Sequence, residues 1–187
     1  MPLMGRTSGM TRNRPSLLEL YVVGFSVLFA GVYLAWQAIH GSVESHHLLD
    51  QRNMPAFSNW WGLAVVPLIG WLASWSVQHR AHASPETLKK AAIAVVGALL
   101  AGVALSIAFL IDGTWNAPLY VLLAIVASGL IFPTYRPEYY FGFVIGMSLA
   151  FGLVLPAIVA LVPMAISAAF HRLVRPAFAL MVRRLRA

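Results

Sequence analysis

From Leu17 to Ile39 the chain carries a single charged side chain, Glu19, and four further stretches carry none: Trp60–Val77, Ala91–Ile111, Ala117–Phe132 and Tyr139–Phe170. A helix advances about 1.5 Å per residue and the hydrocarbon layer of a bilayer is about 30 Å thick, so roughly 20 apolar residues span it. The first and third stretches meet that length. The second and fourth are short but have aromatic ends, Trp60 and Trp61 on one and Trp115, Phe132 and Tyr135 around the other. Such rings favour the headgroup boundary. The fifth would reach ~48 Å as one helix, too long for an upright crossing and marginal for two. Pro156 and Pro163 interrupt it, so a kink or break is expected there.

These runs leave few fold classes open. With 60% hydrophobic and 10% charged residues, the chain departs from soluble domains, which average roughly 45–50% and 25%. Disorder is excluded by the same numbers, because it requires low hydrophobicity and high net charge. The absence of Cys removes disulfides, thiol catalysis, cysteine-ligated zinc and iron–sulfur clusters. The expected fold is an all-α polytopic membrane bundle of five hydrophobic segments, making four to six crossings, with a basic amphipathic C-terminal helix. Residues 1–16 read as a loose basic tail, 17–170 as the helical domain and 171–187 as the basic segment. The first stretch is longer than a signal-peptide core and lacks an A-x-A-like site after it, so it reads as an uncleaved span.

Basic residues set the sidedness. Arg6, Arg12 and Arg14 precede the first span, and Arg80, Lys89 and Lys90 lie between the second and third. Lys and Arg concentrate on the cytoplasmic side, which orients both regions inward. Glu44 and Asp50, with one Arg52, then fall outside, as does Asp112. The tail breaks this alternation. Arg172, Arg175, Arg183, Arg184 and Arg186 demand a cytoplasmic end, whereas five crossings deliver an external one. An even count resolves the conflict: either Ala117–Phe132 re-enters without crossing, or Tyr139–Phe170 forms two short segments around Pro156. Leu155-Pro156-Ala157 offers no polar turn for the second solution, and Ala117–Phe132 is strongly apolar for the first. Five spans with an external tail is the remaining alternative. The expected location is a bacterial inner membrane with both termini cytoplasmic.

Lipid supplies no hydrophobic drive between helices, so packing there depends on close backbone approach at small residues. Gly142, Gly146 and Ala150 form one ladder at spacing four, and Ala94, Ala98 and Gly102 form another. Each lies on one helix face. Either serves a tight seam, within the chain or with a partner chain.

Chemistry-bearing residues are sparse. Glu19 sits at interface depth as a solvated carboxylate. A passive path would have only Ser26, Ser74, Ser106, Ser128 and Ser148 to line it. His40, Glu44, His46 and His47 cluster in the outer loop, and on a helix His40, Glu44 and His47 would share a face at i, i+4, i+7. Imidazole and carboxylate suit a divalent metal. Gly41 and Ser42 weaken that helix, and the pattern is not H-E-x-x-H. Arg136 and Glu138 are expected to pair at the mouth of a span. No G-x-S-x-G, phosphate loop or G-x-G-x-x-G occurs, so no catalytic residue is assigned.

At the C-terminal end, His171, Arg172, Arg175, Arg183 and Arg186 gather on one side of a helical wheel, and Phe170, Leu173, Val174, Phe178, Leu180, Met181 and Leu185 on the other, with Arg184 out of pattern and Pro176 a kink or new start. Basic residues so placed contact anionic headgroups on an interfacial helix. The expected function is that of a non-enzymatic membrane subunit or accessory protein, including an inhibitory, immunity-like factor, acting by helix packing with a membrane partner or a second copy. A small transporter or channel and a metal-binding protein using the outer histidines are the alternatives. The net charge of +7 sits at the edges of apolar runs, and no soluble basic domain exists to hold nucleic acid.

Overall fold

The first helix, α1 (Leu17–Ile39), begins at a capping box: Ser16 Oγ accepts the Glu19 N–H at 3.2 Å, and Glu19 Oε2 accepts the Ser16 N–H at 3.2 Å. Two otherwise unpaired donors of the helix start are thereby satisfied. In the computed structural model, which describes residues 16–40, 45–47, 56–81, 86–112 and 116–185, the chain is helical apart from one three-residue ladder. That ladder pairs β1 (Ser45–His47) antiparallel with β2 (Ala56–Ser58), His46 opposite Phe57. A short 3-10 turn at Asn59–Trp61 leads into α2 (Gly62–Ala81). Then follow α3 (Glu86–Asp112), α4 (Asn116–Ile131), α5 (Pro137–Phe151), α6 (Leu155–Ala169) and α7 (Arg175–Leu185).

Four helical stretches are long and apolar enough to cross a membrane: Leu17–Ile39, Asn59–Arg80, Glu86–Ile111 and Leu155–Phe178. Their outward faces are oily. On α1, Leu20, Tyr21, Phe25, Leu28, Val32 and Trp36 are each more than half exposed. Water would penalise that surface at about 25 cal/mol per Å², whereas hydrocarbon does not.

The opposite pattern identifies the centre. Every residue from Phe141 to Ser148 on α5 is buried, round the whole circumference of the helix. A helix apolar on all sides belongs inside a bundle. Around α5 the directions follow from which residues meet. Gly142 lies against Val95 and Gly146 against Leu99, so α3 and α5 run parallel. Gly62 lies against Leu153, and Arg80 meets Glu138, so α2 runs antiparallel to α5. Gly70 touches Ser26, and Asn59 bonds Gln37, so α1 is antiparallel to α2.

The last apolar stretch is two helices. The break lies at Gly152, with φ +73, in the turn Gly152-Leu153-Val154, and Pro156 falls in the first turn of α6, where a missing N–H costs nothing. The turn is apolar, and its polarity comes from elsewhere. Asn59 Oδ1 accepts the Leu153 N–H at 3.1 Å while Asn59 Nδ2 donates to Gln37 Oε1 at 3.2 Å, and Asn59 is 1% exposed. A Cβ on Gly152 would stand 2.5 Å from Asn59 Oδ1, so glycine is required twice, for the left-handed backbone and for the space. α6 then runs back toward the start of α5: Ser167 Oγ donates to Gly129 O at 2.8 Å and contacts Phe132 O at 3.3 Å, just before the loop into Pro137. A π-helical turn, Phe170–Val174, joins α6 to α7. It widens the helix ahead of Pro176, whose ring would otherwise clash with the preceding turn.

Candidate functional site

The α3–α5 pair is the tightest contact in the bundle. Val95 O and Leu99 O approach Gly142 and Gly146, and the reciprocal Gly102 has Phe143 O at 2.5 Å and Met147 N at 2.8 Å from where its Cβ would be. The ladder Ala94, Ala98, Gly102 is buried, as are Gly142 and Gly146, while Ala150 at the far end is half-buried. Ser106 Oγ donates across the seam to Gly146 O and Met147 O at 3.4 and 3.3 Å. Gly102 thus meets Gly146 inside one chain, while Gly142 and Gly146 rest on Val95 and Leu99, each one position on from Ala94 and Ala98.

At the end where α3 and α5 begin, one acid is buried. Glu138 is 2% exposed and accepts from Arg80 Nη2 at 2.8 and 2.7 Å on its two oxygens. Arg80 is held by its own helix, its Nε donating to Ser76 O at 3.1 Å, and its side chain is 32% exposed. Glu138 lies in the first turn of α5 and Arg80 in the last turn of α2, so each charge suits its helix dipole. The expected pairing of Glu138 with Arg136 is not the one formed. Arg136 caps α5 from outside the helix, and the α2 terminus, brought alongside by antiparallel packing, supplies the cation instead.

Two adjoining basins open beside this pair. The larger, about 460 Å³, lies between α3, α4, α5 and α6, with Ala94, Ala98, Phe143, Ala160 and Pro163 at its back. Its rim includes Ile93, Gly97, Ala124 and Phe132, all exposed on the lipid-facing surface, so it opens sideways between α3 and α4. Two of its hydroxyls are committed: Ser128 donates to Ile125 O at 2.7 Å, and Tyr140 donates to Ala157 O at 2.6 Å. Thr134 Oγ1 is shielded from solvent without a hydrogen-bond partner. The smaller basin, about 420 Å³, is lined by Arg80, Thr87, Lys90, Arg136 and Glu138. Ile93, Ala94 and Tyr139 line both, so the basins adjoin along these side chains. Each volume falls within the roughly 300–1,000 Å³ typical of ligand pockets.

The other sequence-level candidates are scattered. Ser26, Ser74 and Ser148 donate to Val22 O, Trp71 O and Ile145 O in their own helices, at 2.7, 2.9 and 2.7 Å. Of the five serines only Ser128 reaches the large basin. His40 ends α1, its Nδ1 2.9 Å from Trp36 O, and His46 and His47 lie on β1. A helical face shared by His40, Glu44 and His47 does not form, because α1 stops at His40 and the chain is extended by Ser45. Glu44 lies outside the described residues. Among the described residues no three His, Cys, Asp or Glu side chains group as metal ligands. At the C-terminal end, Arg172 stacks 5.0 Å above the Tyr135 ring and His171 Nε2 is 3.1 Å from Phe132 O, while Arg175, Arg183 and Arg184 are exposed. Arg186 lies outside the described residues.

No protein-family model, no curated protein and no solved structure matches the chain.

Proposed function

We propose that the chain is a non-enzymatic accessory protein of a bacterial inner membrane that holds the hydrocarbon part of a lipid-like molecule between α3, α4, α5 and α6. One observation carries this reading: a 460 Å³ basin lined mainly by apolar side chains has the exposed Ile93, Gly97 and Ala124 of α3 and α4 on its rim, where a lipid tail can enter.

The proposed topology has six crossings with both termini cytoplasmic. Support comes from the charges: Arg80, Lys89, Lys90, Arg136, Arg172, Arg175, Arg183 and Arg184 all fall toward one end of the bundle, the end where α3 and α5 begin. The two 15-residue helices α5 and α6 reach only about 22 Å each. Aromatic and basic flanks make up the difference at the interface. In this reading α7 lies along the inner headgroups, with Leu173, Phe178 and Met181 in the lipid and Arg175 and Arg183 on phosphates. Gly142, Gly146 and Gly102 are occupied within the chain, which favours a partner that docks on another face.

The test is a lipid with a photoactivatable group near the end of its tail, reconstituted with the purified protein. Mapped crosslinks should concentrate on residues 93–101 and 121–128. Crosslinks spread evenly over the outward face of α1 instead would remove the proposal.

A further inference from the structure

The large basin is not an isolated pocket. Across Tyr139, Ile93 and Ala94 it adjoins a basin lined by charged side chains. That second basin holds three cations, Arg80, Lys90 and Arg136, and one anion, Glu138. Arg80 is committed to Glu138 through both carboxylate oxygens. Lys90 reaches Glu86 at 3.1 Å, but both side chains are 75% exposed, and such a pair contributes little. Arg136 makes no side-chain cap to its own helix. The cations left for the basin are therefore Lys90, held only in that exposed pair, and Arg136, which forms no ion pair among the described residues.

The parallel seam adds to this. Because α3 and α5 run in the same direction, both helix N-termini open at this basin, contributing Thr87 and Lys90 from one and Arg136 and Glu138 from the other. Each brings the positive end of a helix dipole.

We infer that the ligand is an anionic amphiphile, with a phosphate headgroup seated between Lys90 and Arg136 and its tail in the apolar basin. This rests on the tail site proposed above and adds the chemical class of the head. Arg80 is a positioning residue here: it neutralises Glu138, which would otherwise repel the phosphate.

The experiment uses the full chain purified in a neutral detergent and native mass spectrometry with dioleoyl phosphatidic acid and dioleoylglycerol, which share tails and glycerol and differ in the phosphate. These two cations predict a preference for phosphatidic acid of roughly tenfold to thirtyfold. Lys90→Gln with Arg136→Gln should bring that ratio near one while dioleoylglycerol binding stays. Gly97→Leu, at a rim position where an added Cβ meets nothing within 4 Å, should reduce both lipids together and keep their ratio. Equal binding of both lipids by the unmodified chain, with Gly97→Leu still lowering both, overturns the anionic head and leaves the tail site standing. Indifference of both lipids to Gly97→Leu overturns the tail site, and the inference with it. Displacement of phosphatidic acid by inorganic phosphate alone at equal concentration would identify a free-anion site and also overturn the inference. Unchanged unfolding temperatures of the variants establish that they are folded.

Discussion

Adding one methyl group to α5 should destabilise the protein, whereas the same change at a rim position of α3 should not. In Gly142→Ala and Gly146→Ala the new Cβ meets Val95 O and Leu99 O, which are backbone atoms and cannot rotate away. The two helices must separate, and the Ser106 bond to Gly146 O and Met147 O lengthens with them. Overpacking of this kind costs about 1–3 kcal/mol. The gain in helix propensity from Gly to Ala returns at most about 1 kcal/mol. Each variant is thus expected to lose about 1–2 kcal/mol. At Gly97, on the same helix pair but with nothing within 4 Å of an added Cβ, only the propensity gain remains. Thermal unfolding in one detergent, at about 2–4 °C per kcal/mol for a chain of this length, should place Gly142→Ala and Gly146→Ala roughly 2–8 °C below the parent and Gly97→Ala level with it or above. Equal, neutral behaviour of all three variants would refute a close α3–α5 seam.

Two further perturbations probe the polar contacts that fix the ends of the bundle. Arg80→Ala strands the Glu138 carboxylate in a buried place and should cost about 3–5 kcal/mol, whereas Glu138→Gln leaves an arginine that is 32% exposed and can reach water, and should cost less. The double variant should be less damaged than the sum of the singles, which a thermal-unfolding cycle measures; additive losses would contradict the pairing. Asn59→Ala removes the acceptor of the Leu153 N–H and the donor to Gln37, for about 1–3 kcal/mol. Gly152→Ala should also destabilise, by strain at positive φ and by contact with Asn59, and combining the two should relieve the contact but not the strain.

The membrane class was legible because it depends on a quantity the sequence states directly, the length of runs without charge. The last stretch was harder. Whether Tyr139–Phe170 turns back depends on Asn59, which lies 94 residues before the Leu153 amide it satisfies. Within the stretch itself, Gly152 resembles any other membrane glycine. The same distance hides the partner of Glu138: Arg80 is 58 residues away, while Arg136 is two. The basins are drawn from five helices and have no linear signature. For the outer histidines the helical spacing is conditional on a helix, and His46 and His47 lie on the extended β1. Glu19 had a local signal, the Ser-x-x-Glu spacing of a capping box at Ser16, which a reading focused on buried charge passes over.

The basin requires the chain to reverse at Gly152, so that α6 returns beside α5 as the fourth wall. Paired fusions at Ala187, one to a reporter active only in the cytoplasm and one to a phosphatase active only outside it, test that reversal directly. The six-helix arrangement predicts a bright cytoplasmic reporter and a silent phosphatase. An active phosphatase at Ala187 with a dark cytoplasmic reporter would mean that α5 and α6 cross together, and the basin would lose the wall that closes it.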